Sequence, residues 1–122
     1  MIDPDQEPFE KRTPPVIANP REKGSRFQWK ILAHNKNVLK GWLSICARQP
    51  ENAVRFYEQL ATDPTQSIPG RWYALKGKDY QGVRAYEIGS GDRIYYTVND
   101  AAKEVLIYYA GAHPNKAPSP PC

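Results

Sequence analysis

Val83-Arg84-Ala85-Tyr86-Glu87-Ile88, Gly89-Ser90-Gly91-Asp92, Arg93-Ile94-Tyr95-Tyr96-Thr97-Val98, Asn99-Asp100 and then Glu104–Ala112 form three runs of β-branched and aromatic residues cut by turn signals. Alternation inside the runs and Gly, Asn and Asp at the breaks predict strands joined by tight turns. Strands so joined lie antiparallel, so the C-terminal half reads as a β-meander. Residues 71–76 add a short strand or extended segment, separated from the meander by a turn over residues 77–82.

Upstream the period changes. Val38, Leu39, Trp42, Leu43, Ile45 and Cys46 recur at three- and four-residue intervals, which predicts a helix, with Asn35 and Asn37 available as N-caps. Pro50 restarts a second helix at its first position, with Glu51 beside the positive end of the dipole and Ala53, Val54, Phe56, Tyr57, Leu60 and Ala61 as its apolar side. Asp63-Pro64 ends it. The very short connection around Gln49 predicts an antiparallel pair. Before the helices, alternation from Phe27 to Ile31 reads as one more strand. The order is therefore β-α-α-β-β-β plus the short segment at Arg71, an α+β fold with two helices on one face of a small antiparallel sheet.

Proline marks the edges of this domain. Of 12 prolines, five fall in the first 25 residues and four in the last nine. Residues 1–25 combine proline with charge and offer little to bury, which predicts a mobile arm dispensable for folding. Residues 26–113 are the folded domain, and residues 114–122 a flexible Pro-rich tail. The domain holds 12 Lys and Arg against 8 Asp and Glu, a +4 surplus that favours polyanionic partners. No apolar run is long enough to span a bilayer and no secretory pattern opens the chain, so a cytoplasmic location without membrane contact is expected. Cys46 and Cys122 have neither metal-ligand spacing nor a disulfide framework around them and read as free thiols.

Alternation also assigns faces. Ile94, Tyr96 and Val98, with Leu106 and Tyr108, are expected to meet the helices. The opposite face is then left with Arg84, Tyr86, Arg93, Tyr95, Tyr109 and His113. Cations for phosphate, rings for stacking and an imidazole for proton transfer are what a single-stranded nucleic acid requires.

Leu75-Lys76-Gly77, Arg84-Ala85-Tyr86-Glu87-Ile88, residues 92–100 and residues 105–113, in this order on this frame, resemble the RelE/ParE superfamily of bacterial toxins. The resemblance spans the folded middle and implies a small cytosolic toxin neutralised by a cognate antitoxin. In the RelE and YoeB branches such a toxin cuts mRNA at the ribosome without metal or cofactor; in the ParE branch it poisons DNA gyrase instead. Lys76 takes the place of the basic residue in the family's Leu-(Arg/Lys)-Gly turn, Arg84 matches a basic residue of the following strand, and Arg93 matches the arginine of the Tyr-Arg strand. His113 falls where nuclease members place Arg or His. Arg84, Arg93 and His113 are thus the candidate catalytic residues. Lys76, Lys78, Tyr86, Tyr95 and Tyr109 are candidates for holding RNA. The chain departs from the nuclease pattern at Tyr86, where a second lysine is usual, and beyond the last strand, where a tyrosine is usual.

Overall fold

The computed structural model describes residues 29–89 and 91–121. The expected N-terminal arm, Phe27 and Gln28 of the expected first strand, and Cys122 lie outside these residues.

The elements follow in the order β1 (Lys30–Ala33), α1 (Lys36–Arg48), α2 (Pro50–Thr62), β2 (Trp72–Ala74), a 3-10 turn (Lys78–Tyr80), β3 (Val83–Ile88), β4 (Asp92–Asn99) and β5 (Glu104–Ala112). Asn35 caps α1, its side chain accepting from the Val38 N–H at 3.0 Å. Pro50 opens α2, where its missing N–H costs nothing. Among the described residues the sheet has five strands in the order β1-β5-β4-β3-β2. The meander pairs antiparallel, as expected. The N-terminal strand β1 lies parallel to β5, so the sheet is mixed rather than purely antiparallel. The helical pair carries the chain across the sheet between β1 and the meander, and alternation cannot say which edge receives the first strand.

Both helices lie on one face. Trp42 and Ile45 from α1 and Phe56, Tyr57 and Leu60 from α2 pack on Ile31, Trp72, Tyr86, Ile88, Ile94, Tyr96, Val105 and Ile107. Leu43, expected on this apolar side, is largely exposed: the apolar arc of α1 is wider than the surface that covers it. On the last strand Val105 and Ile107 face the helices, in place of the expected Leu106 and Tyr108. A β-bulge explains the rest. Tyr95 pairs with Tyr109 while Tyr96 pairs with Ile107, so Tyr108 is the extra residue and the alternation resets past it. Tyr108 and Tyr109 consequently both belong to the face away from the helices.

That second face has a small core of its own. Val83, Ala85, Tyr95 and Tyr108 are buried, with Tyr73, Leu75, Tyr80, Tyr109 and Ala117 packed around them. Ala117 belongs to the tail, which folds back over the sheet: Tyr80 Oη donates to the Ala117 carbonyl at 2.8 Å and Tyr108 Oη to the Pro118 carbonyl at 3.0 Å.

Candidate functional site

The eight candidate residues do not form one surface. Arg84 pairs across the sheet with Tyr96 and so projects to the helix side. There its Nε donates to the Tyr96 hydroxyl at 3.3 Å, and Nη2 donates to the Gln66 carbonyl and, at 3.0 Å, to Ser67 Oγ. Tyr86 is likewise on the helix side, buried against Phe56 and Trp72, its hydroxyl donating to Gln59 Oε1 at 2.6 Å. The expected placing of Arg84 and Tyr86 beside Arg93 is therefore corrected. Both are long side chains that bury an apolar body and satisfy a polar tip at the core's rim, which mimics a surface pattern in sequence. Lys76 and Lys78 are exposed in the turn after β2, away from the rows that carry Arg93 and His113.

Arg93, Tyr95, Tyr109 and His113 do share the face opposite the helices. Arg93 retains only 15% of its side-chain exposure, lying 3.8 Å from Glu87, 6.0 Å from the centre of the Tyr73 ring and 3.5 Å from the Tyr95 hydroxyl. Burial works against its charge, but the Tyr95 hydroxyl and the fields of Tyr73, Tyr95 and Glu87 outweigh it and raise the pKa above the ordinary arginine value. Its Nε is buried and has no hydrogen-bond partner among the described residues. Directly across the ladder from Arg93 stands Gly111, whose missing side chain leaves room beside the guanidinium. A Cβ there would meet the Tyr109 hydroxyl at 3.7 Å, so that hydroxyl borders the gap. Tyr109 Oη donates to the Ala112 carbonyl and so bends over Gly111. His113 is exposed at the end of the same row, its N–H on the Gly91 carbonyl at 3.0 Å and its Nδ1 2.8 Å from the Pro114 carbonyl. Arg93 on β4, Tyr109 and Gly111 on β5 and His113 just after it thus bring a cation, a phenol and an imidazole to one face of the sheet.

Sequence reading missed Tyr73, Tyr80, Tyr108 and Glu87 as neighbours of this row. Tyr73 and Tyr80 sit in the short β2 and the turn after it, too brief for alternation to assign, and Tyr108 is placed by the bulge. A shallow depression on α2, lined by Pro50, Glu51, Val54, Arg55 and Glu58, is unrelated to the row and unsuited to phosphate, since two carboxylates flank its single arginine. Among the described residues no group of three His, Cys, Asp or Glu side chains is placed to hold a metal ion, and no helix is long and apolar enough to cross a membrane.

The fold is found among solved structures. It is similar to a chain of the YoeB-YefM complex from Staphylococcus aureus, with a TM-score of 0.53 and 17% identity over 70% of this chain and 98% of that one. A chain of the DinJ-YafQ toxin-antitoxin complex from E. coli gives a TM-score of 0.48 and 18% identity over 70% and 93%. No protein-family model and no curated protein sequence matches the chain.

Proposed function

We propose that this chain is the toxin of a type II toxin-antitoxin pair, held by a cognate antitoxin in the cytoplasm, and that it is an endoribonuclease cutting mRNA on the ribosome. The observation that carries this reading is Arg93 facing Gly111, with Tyr109 and His113 on the same face of the sheet. The sequence resemblance and the shared fold support it. In the reaction a base removes the 2′-OH proton, a cation stabilises the crowded phosphate, and an acid protonates the departing 5′ oxygen. Arg93 holds the phosphate over Gly111, where partial burial strengthens its field. His113 serves proton transfer, a task for which imidazole is the side chain most often used. Tyr109 and, once uncovered, Tyr95 offer rings for a base, and Lys76 and Lys78 meet backbone phosphates of mRNA or ribosomal RNA.

One observation favours a second reading, a binder that inhibits DNA gyrase: the Arg84–Arg93 pair a nuclease would use is split between the two faces of the sheet. Induction in an antitoxin-free strain separates the two. New mRNA 5′ ends mapped by primer extension during growth arrest support the nuclease. Their absence together with inhibited supercoiling replaces it with the gyrase reading. His113→Ala should lower cleavage about 10²–10⁴-fold with the fold intact. Arg93→Ala should abolish it as well, whereas Arg84→Ala should cut normally in whatever fraction remains folded.

A further inference from the structure

We propose that residues 114–121 are a built-in occupant of the tyrosine face, competing with the ligand for it; the competition rests on the RNA reading above. A sheet with helices on one side normally leaves the other to water, its outward side chains half exposed. Here Tyr95 and Tyr108 on that side are only 3% and 8% exposed. Part of the cover comes from Tyr73, Leu75 and Tyr80, and part from Ala117 of the tail. The contact is specific as well as apolar. Tyr80 and Tyr108 donate to two successive carbonyls, those of Ala117 and Pro118. A proline-rich segment suits such a face: Pro118, Pro120 and Pro121 have no N–H to satisfy, and a proline carbonyl remains an acceptor, as that of Pro118 is for Tyr108. Aromatic-lined grooves hold proline-rich peptides in the same manner.

The tether makes this contact effective. The His113 N–H is fixed to the Gly91 carbonyl, and between His113 and Ala117 the chain doubles back to the level of Tyr108. So short a connection holds the tail at a local concentration in the millimolar range, so a weak contact keeps the face mostly covered. A ligand that needs Tyr95 then binds more weakly in proportion to the uncovered fraction.

The test uses the full chain carrying Ala117→Gln with Pro118→Gly, which alters the tail and leaves both the sheet and the net charge untouched. Tyrosine nitration by tetranitromethane, located by mass spectrometry, reports the cover. Fluorescence anisotropy with a labelled single-stranded oligoribonucleotide reports the competition. Several-fold faster nitration of Tyr95 and Tyr108 and an RNA Kd lowered about tenfold support the proposal. Tyr80→Phe, which removes one donor from the sheet side, should move both readouts the same way by less, and it keeps the test open if the double variant misfolds. Unchanged nitration in both variants overturns the tail contact. Faster nitration at unchanged RNA affinity overturns the competition. If neither the parent nor the variants bind RNA, the competition falls with the RNA reading, and the nitration contrast distinguishes that failure from loss of the contact itself.

Discussion

Tyr96 holds three parts of the chain with one hydroxyl. It accepts from Trp72 Nε1 at 2.5 Å and from Arg84 Nε at 3.3 Å, and donates to the Pro64 carbonyl at 2.6 Å. Burial raises its pKa while the Trp72 and Arg84 bonds pull the other way, so the buried group is the neutral phenol. Tyr96→Phe should cost about 2–3 kcal/mol in urea denaturation, because it leaves a buried indole N–H and a carbonyl unpartnered. A loss below about 0.5 kcal/mol would mean that these groups find other partners. Asp92 does the same at the helix junction. It is 4% exposed, accepts from both terminal nitrogens of Arg48 at 2.8 and 3.1 Å, and takes a third bond from Gln49 Nε2 at 2.5 Å. Asp92→Ala should cost about 2–3 kcal/mol, and Arg48→Ala should cost less, since its guanidinium is half in water and the Gln49 bond to Asp92 remains. Neither tie was legible in the sequence. Alternation placed Tyr96 in the core correctly, but it cannot show that the polar tips of Arg84, Tyr86 and Asp92 find partners from distant segments.

At the scale of elements, α1 lies directly on β5 because Gly41 has no side chain. A Cβ there would run into the Ala110 carbonyl oxygen. Alanine is the better helix former by about 1 kcal/mol, yet Gly41→Ala should lower stability by about 2–3 kcal/mol, since helix and strand must separate to admit the methyl group. A melting temperature equal to or above that of the parent would deny the close approach. Trp42 and Phe56, which meet at 5.6 Å beneath the helices, should each cost about 3–5 kcal/mol when cut to Ala. Their burial was readable from helical spacing, as were both helices and the three long strands of the meander. Two features were not. Which edge receives β1 depends on how the helical pair crosses the sheet, and no local pattern records that. The bulge at Tyr108 shifts parity in mid-strand, so carrying the parity of Ala110 back across it puts Leu106 and Tyr108 in the core in place of Val105 and Ile107. Tyr109 and His113 were nevertheless placed on their observed face, because counting back from the far side of the bulge needs no correction. The same row carries Arg93, which is why part of the candidate site was visible before the structure while Arg84 was misplaced.

At the scale of the whole molecule, the described residues form three layers: helices, sheet, and a partial cover of tyrosines and tail. Two hydroxyls of the third layer, those of Tyr108 and Tyr109, are held in neutral form. Burial, with Tyr95 and Tyr80 beside it, pushes Tyr108 up to about 12, and Tyr109 is raised as well, first by burial and then by Tyr95 and Asp92. The sign of the linkage follows. A tyrosine in the unfolded chain releases its proton near pH 10, so between about pH 10 and 12 the native state holds more protons than the unfolded state and stability falls as pH rises. Below pH 10 the contribution is complete. Ionisation also removes the hydrogen that Tyr108 donates to Pro118, and a phenolate repels the carbonyl it formerly bound, so the tail should leave the face over the same range. The urea midpoint should therefore hold level from about pH 7 to 9 and decline from about 10 to 12, with nitration-accessible Tyr95 appearing alongside the decline. Tyr108→Phe should flatten that decline and leave Tyr95 accessible even at neutral pH, because Phe keeps the ring but cannot hold the tail. A midpoint that declines equally steeply in Tyr108→Phe would assign the alkaline loss to the other tyrosines, and a Tyr95 that stays protected in that variant would mean that packing alone, without the hydrogen bond to Pro118, keeps the third layer closed.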